Sequence, residues 1–183
     1  MGTITSFDDA KHEIARHRRD GIVARDQKCA QDVTQIASCY GGVFHGRAID
    51  KWPTNSDRPL IPWLQIVARD LPNRLRPFDR FELVSIFIDQ ETWDDDFAKH
   101  DHHSIVVRAY ESLDDLVPLN RLETLPGHPH YRLEWVTVDD FPCLSHFYEK
   151  FDKGVYDQIC EDADKLSLDN KSGIKIAGWP TLV

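Results

Sequence analysis

Residues 38–67 read SCYGGVFHGRAIDKWPTNSDRPLIPWLQIV, and this stretch decides the fold. It opens on a Gly41-Gly42 turn, passes through Trp52-Pro53 and a polar Asn55-Ser56-Asp57 loop, and ends in a short apolar run from Pro62 to Val67. Gly41-Gly42 with Gly46 follows no strong strand and opens no helix, so these glycines mark a turn rather than a phosphate cradle. The apolar run is bounded by prolines and reads as a strand.

Outward from this stretch the periods separate into two kinds. Upstream, Ser6 and Asp9 have the spacing of a capping box, which satisfies a free helical N–H. They predict a helix over 8–19 with Phe7, Ala10 and Ile14 on one face and Gly21 as its stop. Val33 and Ile36 fit neither period, so 32–37 is either a short strand or more helix, and residues 1–37 form a mainly helical lead-in. Downstream, 81–89 (FELVSIFID) and 104–111 (SIVVRAYE) are apolar on both faces, as interior strands are. Residues 131–138 alternate Tyr131, Leu133 and Trp135 against Arg132 and Glu134, a half-buried strand. From Asp140 onward Leu144, Phe147, Tyr148 and Phe151 recur at helical spacing. Asp139 or Asp140 is a candidate cap, Pro142 is tolerated in a first turn, and Gly154 is a candidate stop. A second short helix over 155–164 aligns Val155, Ile159 and Ala163, and the tail 172–183 is extended and apolar. These elements predict an α+β fold in a single domain, 1–183. Its sheet is mainly antiparallel, flanked by an N-terminal helix and one or two C-terminal helices.

The 183 residues suffice for one well-buried core. No secretory h-region opens the chain and no apolar run is long enough to span a bilayer. Cys29, Cys39, Cys143 and Cys160 lie far apart without a C-x-x-C pair, which favours free thiols over zinc or disulfides. The expected location is the cytoplasm. Net charge is −9, and it is uneven: residues 1–88 carry 13 Lys/Arg against 11 Asp/Glu, whereas 89–183 carry 9 against 20, a balance of −11. An acidic second half argues against nucleic-acid binding, which needs a basic surface. It is either a solubilising surface or one that meets a basic partner.

Catalytic signatures are lacking. His100, His102 and His103 with Asp101 are the most visible metal candidates, but adjacent residues on an extended segment point to opposite sides. A hydrated loop is the simpler reading. His12 and His17, and His128 and His130, lack the spacing that aims two ligands at one ion, and read as surface histidines. No nucleophile elbow and no phosphate loop is present. The chain is therefore expected to have no enzymatic activity, no cofactor and no resident metal. Glu91, Trp93, Asp94, Asp95 and Asp96, with Phe97 and Asp101 beyond them, are either a solvated loop with two half-buried aromatics or aromatic anchors in a charged rim, the arrangement of a protein-binding epitope. Asp114 and Asp115 form a second acidic turn.

The order of Ser38, Tyr40-Gly41-Gly42, Trp52-Pro53, Arg58-Pro59-Leu60 and Leu64-Gln65-Ile66 resembles the YwqG-like family. Leu71-Pro72, the strand from Leu83 to Ile88 and the later Ile176-Ala177-Gly178-Trp179-Pro180 extend the likeness. Cys39 and Val43 depart from the family's residues around the two glycines, and longer relatives continue past the position of Val183. The resemblance implies an α+β fold without established catalysis, and short acidic members look like immunity proteins encoded beside bacterial toxins. The expectation is a protein that neutralises a contact-delivered or polymorphic toxin, one acting on nucleic acid or nucleotides, by stoichiometric binding. Glu91, Trp93, Asp94–Asp96, Asp101, Asp114 and Asp115 would make the contact. The alternatives are a small-ligand or peptide-binding domain lined by Trp52, Trp63 and Trp179, or a metal-dependent enzyme using His100, His102 and His103. Buried core positions are the commoner explanation for the three tryptophans.

Overall fold

The computed structural model describes residues 3–28, 35–73, 75–89, 105–119, 130–166 and 173–178. The fold is α+β. Its main sheet has six strands in the order β1 (Arg19–Lys28), β10 (Tyr131–Asp140), β2 (Cys39–Tyr40), β6 (Ile61–Val67), β7 (Leu83–Ile88), β8 (Ile105–Tyr110). Two small pairs accompany it, β3 (His45–Arg47) with β9 (Leu116–Pro118) and β4 (Thr54–Asn55) with β5 (Arg58–Pro59). The helices are α1 (Phe7–Arg16) and α2 (Lys153–Leu166). By packing, the chain divides into two compact units, 25–134 and the pair 1–24 with 135–183.

In the unit 25–134, the strands β2, β6, β7 and β8 are antiparallel throughout. One face of this sheet buries Cys39, Phe44, Leu60, Phe87 and Leu119, and a second cluster gathers Val67, Leu83 and Tyr110. The quoted stretch is fastened here by side chains that stand in for backbone. Gln65 is buried, and its Oε1 accepts the His45 N–H at 2.8 Å while its Nε2 donates to the Ala37 carbonyl at 2.9 Å. Ser38, also buried, accepts the Val67 N–H on Oγ at 2.9 Å and donates its own N–H to Asp70 at 2.7 Å. Trp52 packs edge-on against Phe87 at 5.6 Å and donates its indole N–H to the Leu60 carbonyl at 2.9 Å. Its ring and its one donor are thus engaged by the core cluster.

β8 was expected to be an interior strand, but it is the outermost strand of the sheet order. Its alternate residues Ile105 and Val107 are 44% and 58% exposed, while Val106 packs on the core and Tyr110 is buried. Ile105, Val106 and Val107 in unbroken succession made the two faces indistinguishable by pattern.

In the unit built from both ends of the chain, α1 opens at Ser6, whose hydroxyl accepts the Asp9 N–H. Ala10 and Ile14 are buried against Phe141, Phe147, Phe151, Val155 and Ile159, with Phe7 and Ile4 packed on the same cluster. α1 ends at Arg16, earlier than expected, and Gly21 lies inside β1 instead of stopping a helix. The predicted helix beginning near Asp140 is replaced by three pieces. β10 runs on to Asp140, a 3-10 turn covers Leu144–Phe147, and Phe151 forms a parallel bridge with Ile4. The bridge is closed by Ile4 N–H to Lys150 O at 2.9 Å and Asp152 N–H to Ile4 O at 2.8 Å. Leu144, Phe147 and Phe151 still face one core, with the Phe147 and Phe151 rings stacked at 5.3 Å. Helical spacing reported the shared face correctly and the backbone between wrongly. Tyr148 points outward at 62% exposure, and Gly154 sits in the first turn of α2.

Residues 173–178 run beside β1, joined by Ala24 N–H to Ile174 O at 2.9 Å and Ile176 N–H to Ile22 O at 3.1 Å. This places Lys175 Nζ 2.9 Å from Asp140 Oδ2, with side-chain exposures of only 7% and 0%. A Cβ on Gly21 would stand 2.9 Å from Asp140 Cβ, and one on Gly178 would stand 3.0 Å from its Cγ. Both glycines therefore make room for the pair.

Two stability outcomes follow. Gln65→Leu takes the partner from the buried His45 N–H and the half-buried Ala37 C=O and should cost about 2–4 kcal/mol in urea unfolding; an unchanged midpoint would mean that the amide holds nothing. Lys175→Met removes the cation 2.9 Å from a buried carboxylate and should cost roughly 3–5 kcal/mol. Adding Asp140→Leu to Lys175→Met should recover part of that loss, because the uncompensated charge goes with it.

Candidate protein-binding surface

Of the expected contact residues, Asp114 and Asp115 are described and exposed in the turn between β8 and β9. The turn is held by Ser112, whose Oγ donates to Asp114 Oδ2 at 2.9 Å and accepts the Asp114 N–H at 3.1 Å. Leu113 and Leu116 on either side pack against the Val67, Leu83 and Tyr110 cluster, so the two carboxylates are presented from a seated loop. Asp115 enters no ion pair among the described residues. Its neighbour Glu111 is neutralised by Arg80 at 2.7 Å. Glu91, Trp93, Asp94, Asp95, Asp96 and Asp101 lie outside the described residues, as do His100, His102, His103, His128 and Trp179. Among the described residues no group of three side chains is arranged to hold a metal ion.

The acidic excess is not all surface. Asp89 is buried and accepts from Asn55 at 3.0 Å and from Arg58 at 3.4 Å, which ties the β4–β5 pair to the end of β7. Asp140 is the buried partner of Lys175. Asp50 accepts the Arg47 N–H at 2.8 Å and the Tyr110 hydroxyl at 2.9 Å. Burial, followed by that bond to Asp50, pushes the Tyr110 phenol up to about 12.

A further acidic face was missed at the level of sequence. Asp157 and Glu161 stand exposed, one turn apart on the outer side of α2, with Glu149 and Asp152 exposed just before the helix. Beside them Tyr148 meets Tyr156 edge-on at 5.2 Å. The spacing of Asp157 and Glu161 was the available signal, but the apolar stripe of Val155, Ile159 and Ala163 dominated the pattern.

Two of the supposed surface histidines have structural work. His17 packs edge-on against Phe147 at 5.5 Å and meets Glu13 at 3.4 Å. His130 is half-buried against the Gly41-Gly42 turn, where both glycines hold positive φ, 65° and 77°. A Cβ on Gly42 would come within 3.0 Å of the imidazole Cγ, so the ring occupies the space a side chain would need. Burial holds the His130 imidazole below its usual range; a bond to the Gly41 backbone opposes this and the Arg132 charge adds to it. Its Nδ1 is buried with no hydrogen-bond partner among the described residues, which disfavours the protonated ring.

Compared with models of known protein families and with curated protein sequences, the chain matches none. No described helix is long and apolar enough to cross a membrane.

The depressed folded-state pKa of His130 sets the sign of one pH effect. The unfolded chain takes up a proton in the ordinary imidazole range that the folded one resists, so stability present above that range is lost as pH falls through the folded pKa. Thermal melts should show this decline, and His130→Gln should flatten it. An identical pH slope in the variant would assign the loss to other groups.

Proposed function

We propose that this chain is an immunity protein of YwqG-like type, which neutralises a bacterial toxin by stoichiometric binding and catalyses nothing itself. The observation that carries the proposal is the charge layout, a balance of −11 over residues 89–183. Exposed acids there include Asp114, Asp115, Asp157 and Glu161. A toxin that acts on nucleic acids or nucleotides carries a basic site, and an inhibitor needs only to cover it with a complementary surface. Opposite potentials accelerate encounter and reject neutral or acidic proteins, so affinity and choice of partner come from one feature. The order of residues from Ser38 to Ile66 supports the family assignment by resemblance. Glu91, Trp93, Asp94, Asp95, Asp96 and Asp101 remain part of the proposed contact, joined by the Asp114-Asp115 turn.

The test begins with the toxin domain encoded by the neighbouring reading frame, expressed with and without this chain. Restored growth and a one-to-one complex are expected. Reversing Asp114 and Asp115 to lysine, and separately Asp94, Asp95 and Asp96, should slow association about tenfold at low salt and flatten its dependence on ionic strength. Unchanged rates in both variants would remove these acids from the interface.

A further inference from the structure

The two outer strands of the main sheet are finished differently. Beside β1 runs the segment 173–178, held by the Ala24 N–H to Ile174 O and Ile176 N–H to Ile22 O bonds. At the other side stands β8, and among the described residues β7 is its one neighbour. An outer strand offers a row of N–H and C=O groups to a further strand, and folded proteins guard such rows with prolines, bulges or charges. β8 has no proline, and its six residues meet β7 in an unshifted register, Ile105 opposite Ile88 through Tyr110 opposite Leu83. The β6–β7 ladder, by contrast, shifts between Pro62 and Leu64.

The one charge on β8 is turned beneath the sheet. The Arg108 guanidinium lies 5.6 Å from the centre of the Phe87 ring, and its Nη2 donates to the Lys51 carbonyl. The opposite face is apolar. Ile105, Val107 and Ala109 alternate outward and are exposed, and Val84 and Ile86, which face Ala109 and Val107 from β7, are half-buried. An apolar strip therefore crosses from β7 to β8 and is cut off at the edge of the sheet.

A second copy of the same strand fits this edge. Two β8 strands related by a two-fold axis normal to the sheet pair antiparallel and keep each face on its own side, so one residue must face its own copy. The midpoint of Ile105–Tyr110 falls between Val107 and Arg108. Centring on Arg108 sets two cations opposite each other, which is destabilising. Centring on Val107 sets Ile105 against the partner's Ala109 and Val106 against the partner's Arg108. No like charges oppose each other, and the two apolar strips become one. β8 carries no acid to meet the basic toxin site proposed above, so the edge suits an apolar self-contact, and the inference is independent of that reading.

We propose that the chain forms a two-fold dimer in which β8 pairs antiparallel with the β8 of a second copy, centred on Val107. One continuous ladder then joins the two six-stranded sheets. The contact is isologous, so it closes at two copies instead of growing into a fibre.

The full-length protein, free of any partner, is measured by sedimentation equilibrium over a dilution series. A mass twice that of one chain is expected, falling toward one chain on dilution. Val107→Lys would set two ammonium groups opposite each other and should leave a monomer with unchanged far-UV circular dichroism. Cysteine pairs test the seam without adding charge. Directly opposed antiparallel residues have Cα atoms about 4.5–5.5 Å apart, within the span of a disulfide. Under mild oxidation Val107→Cys should link to its own copy, as located by peptide mapping. Ile105→Cys should not link to itself but should link to Ala109→Cys when the two variants are mixed. A wild-type chain that is monomeric at every concentration would overturn the proposal, as would a dimer that Val107→Lys leaves intact. Self-linkage of Ile105→Cys in place of Val107→Cys would overturn the register.

Discussion

The side-chain amide of Gln65 is the constraint on which the sheet of residues 25–134 depends. It sits in the middle of the longest apolar strand, and both of its polar atoms are committed to backbone far away in sequence, the His45 N–H and the Ala37 carbonyl. A strand that pairs only with its neighbours leaves the chain free to leave the sheet at either end. Here one amide secures both the segment entering β2 and the segment after the Gly-Gly turn. Ser38 repeats the device immediately before Cys39, Gln65's partner across the sheet, and takes the Val67 N–H on its hydroxyl. In a low-dielectric interior such bonds are strong when complete and costly when half-made, so Ser38 and Gln65 tolerate few replacements.

Much of the architecture was legible because burial imposes periods. Pro62–Val67, Leu83–Ile88 and Tyr131–Val138 announce themselves as strands, and Val155, Ile159 and Ala163 announce a helix. The failures have physical causes. Strand β1, RDGIVARDQK, is so rich in charge that its short apolar core of Ile22-Val23-Ala24 carries no period. The stripe from Leu144 to Phe151 faces one cluster, and helical spacing cannot tell a continuous helix from a turn and a bridge that aim the same side chains inward. The long-range partners of Gln65 and Asp140 leave no local trace at all.

The same holds for charge. In composition Asp89, Asp140 and Asp114 are equal contributors to an acidic half. In the folded chain the first two are buried among donors, where their charge is cancelled and does structural work, while Asp114 and Asp115 stand in solvent. Charge counts therefore overstate the potential a partner meets, and the exposed residues, Asp157 and Glu161 included, are the ones that set it. The histidines divide similarly, His17 and His130 being packed against Phe147 and the Gly-Gly turn.

The Asp140–Lys175 pair has a consequence for the order of events on the ribosome. Residues 25–134 are contiguous, and every bond described within them becomes available once Glu134 has emerged. The companion unit must wait. Its first helix and strand are made early, but their core needs Phe141 to Ile159 and its buried carboxylate needs Lys175. Until then α1 presents Ala10 and Ile14 with their apolar partners still unmade. During translation, which adds residues at about 5–20 per second, the nascent chain thus carries a unit able to close and an opening segment still waiting for its ending.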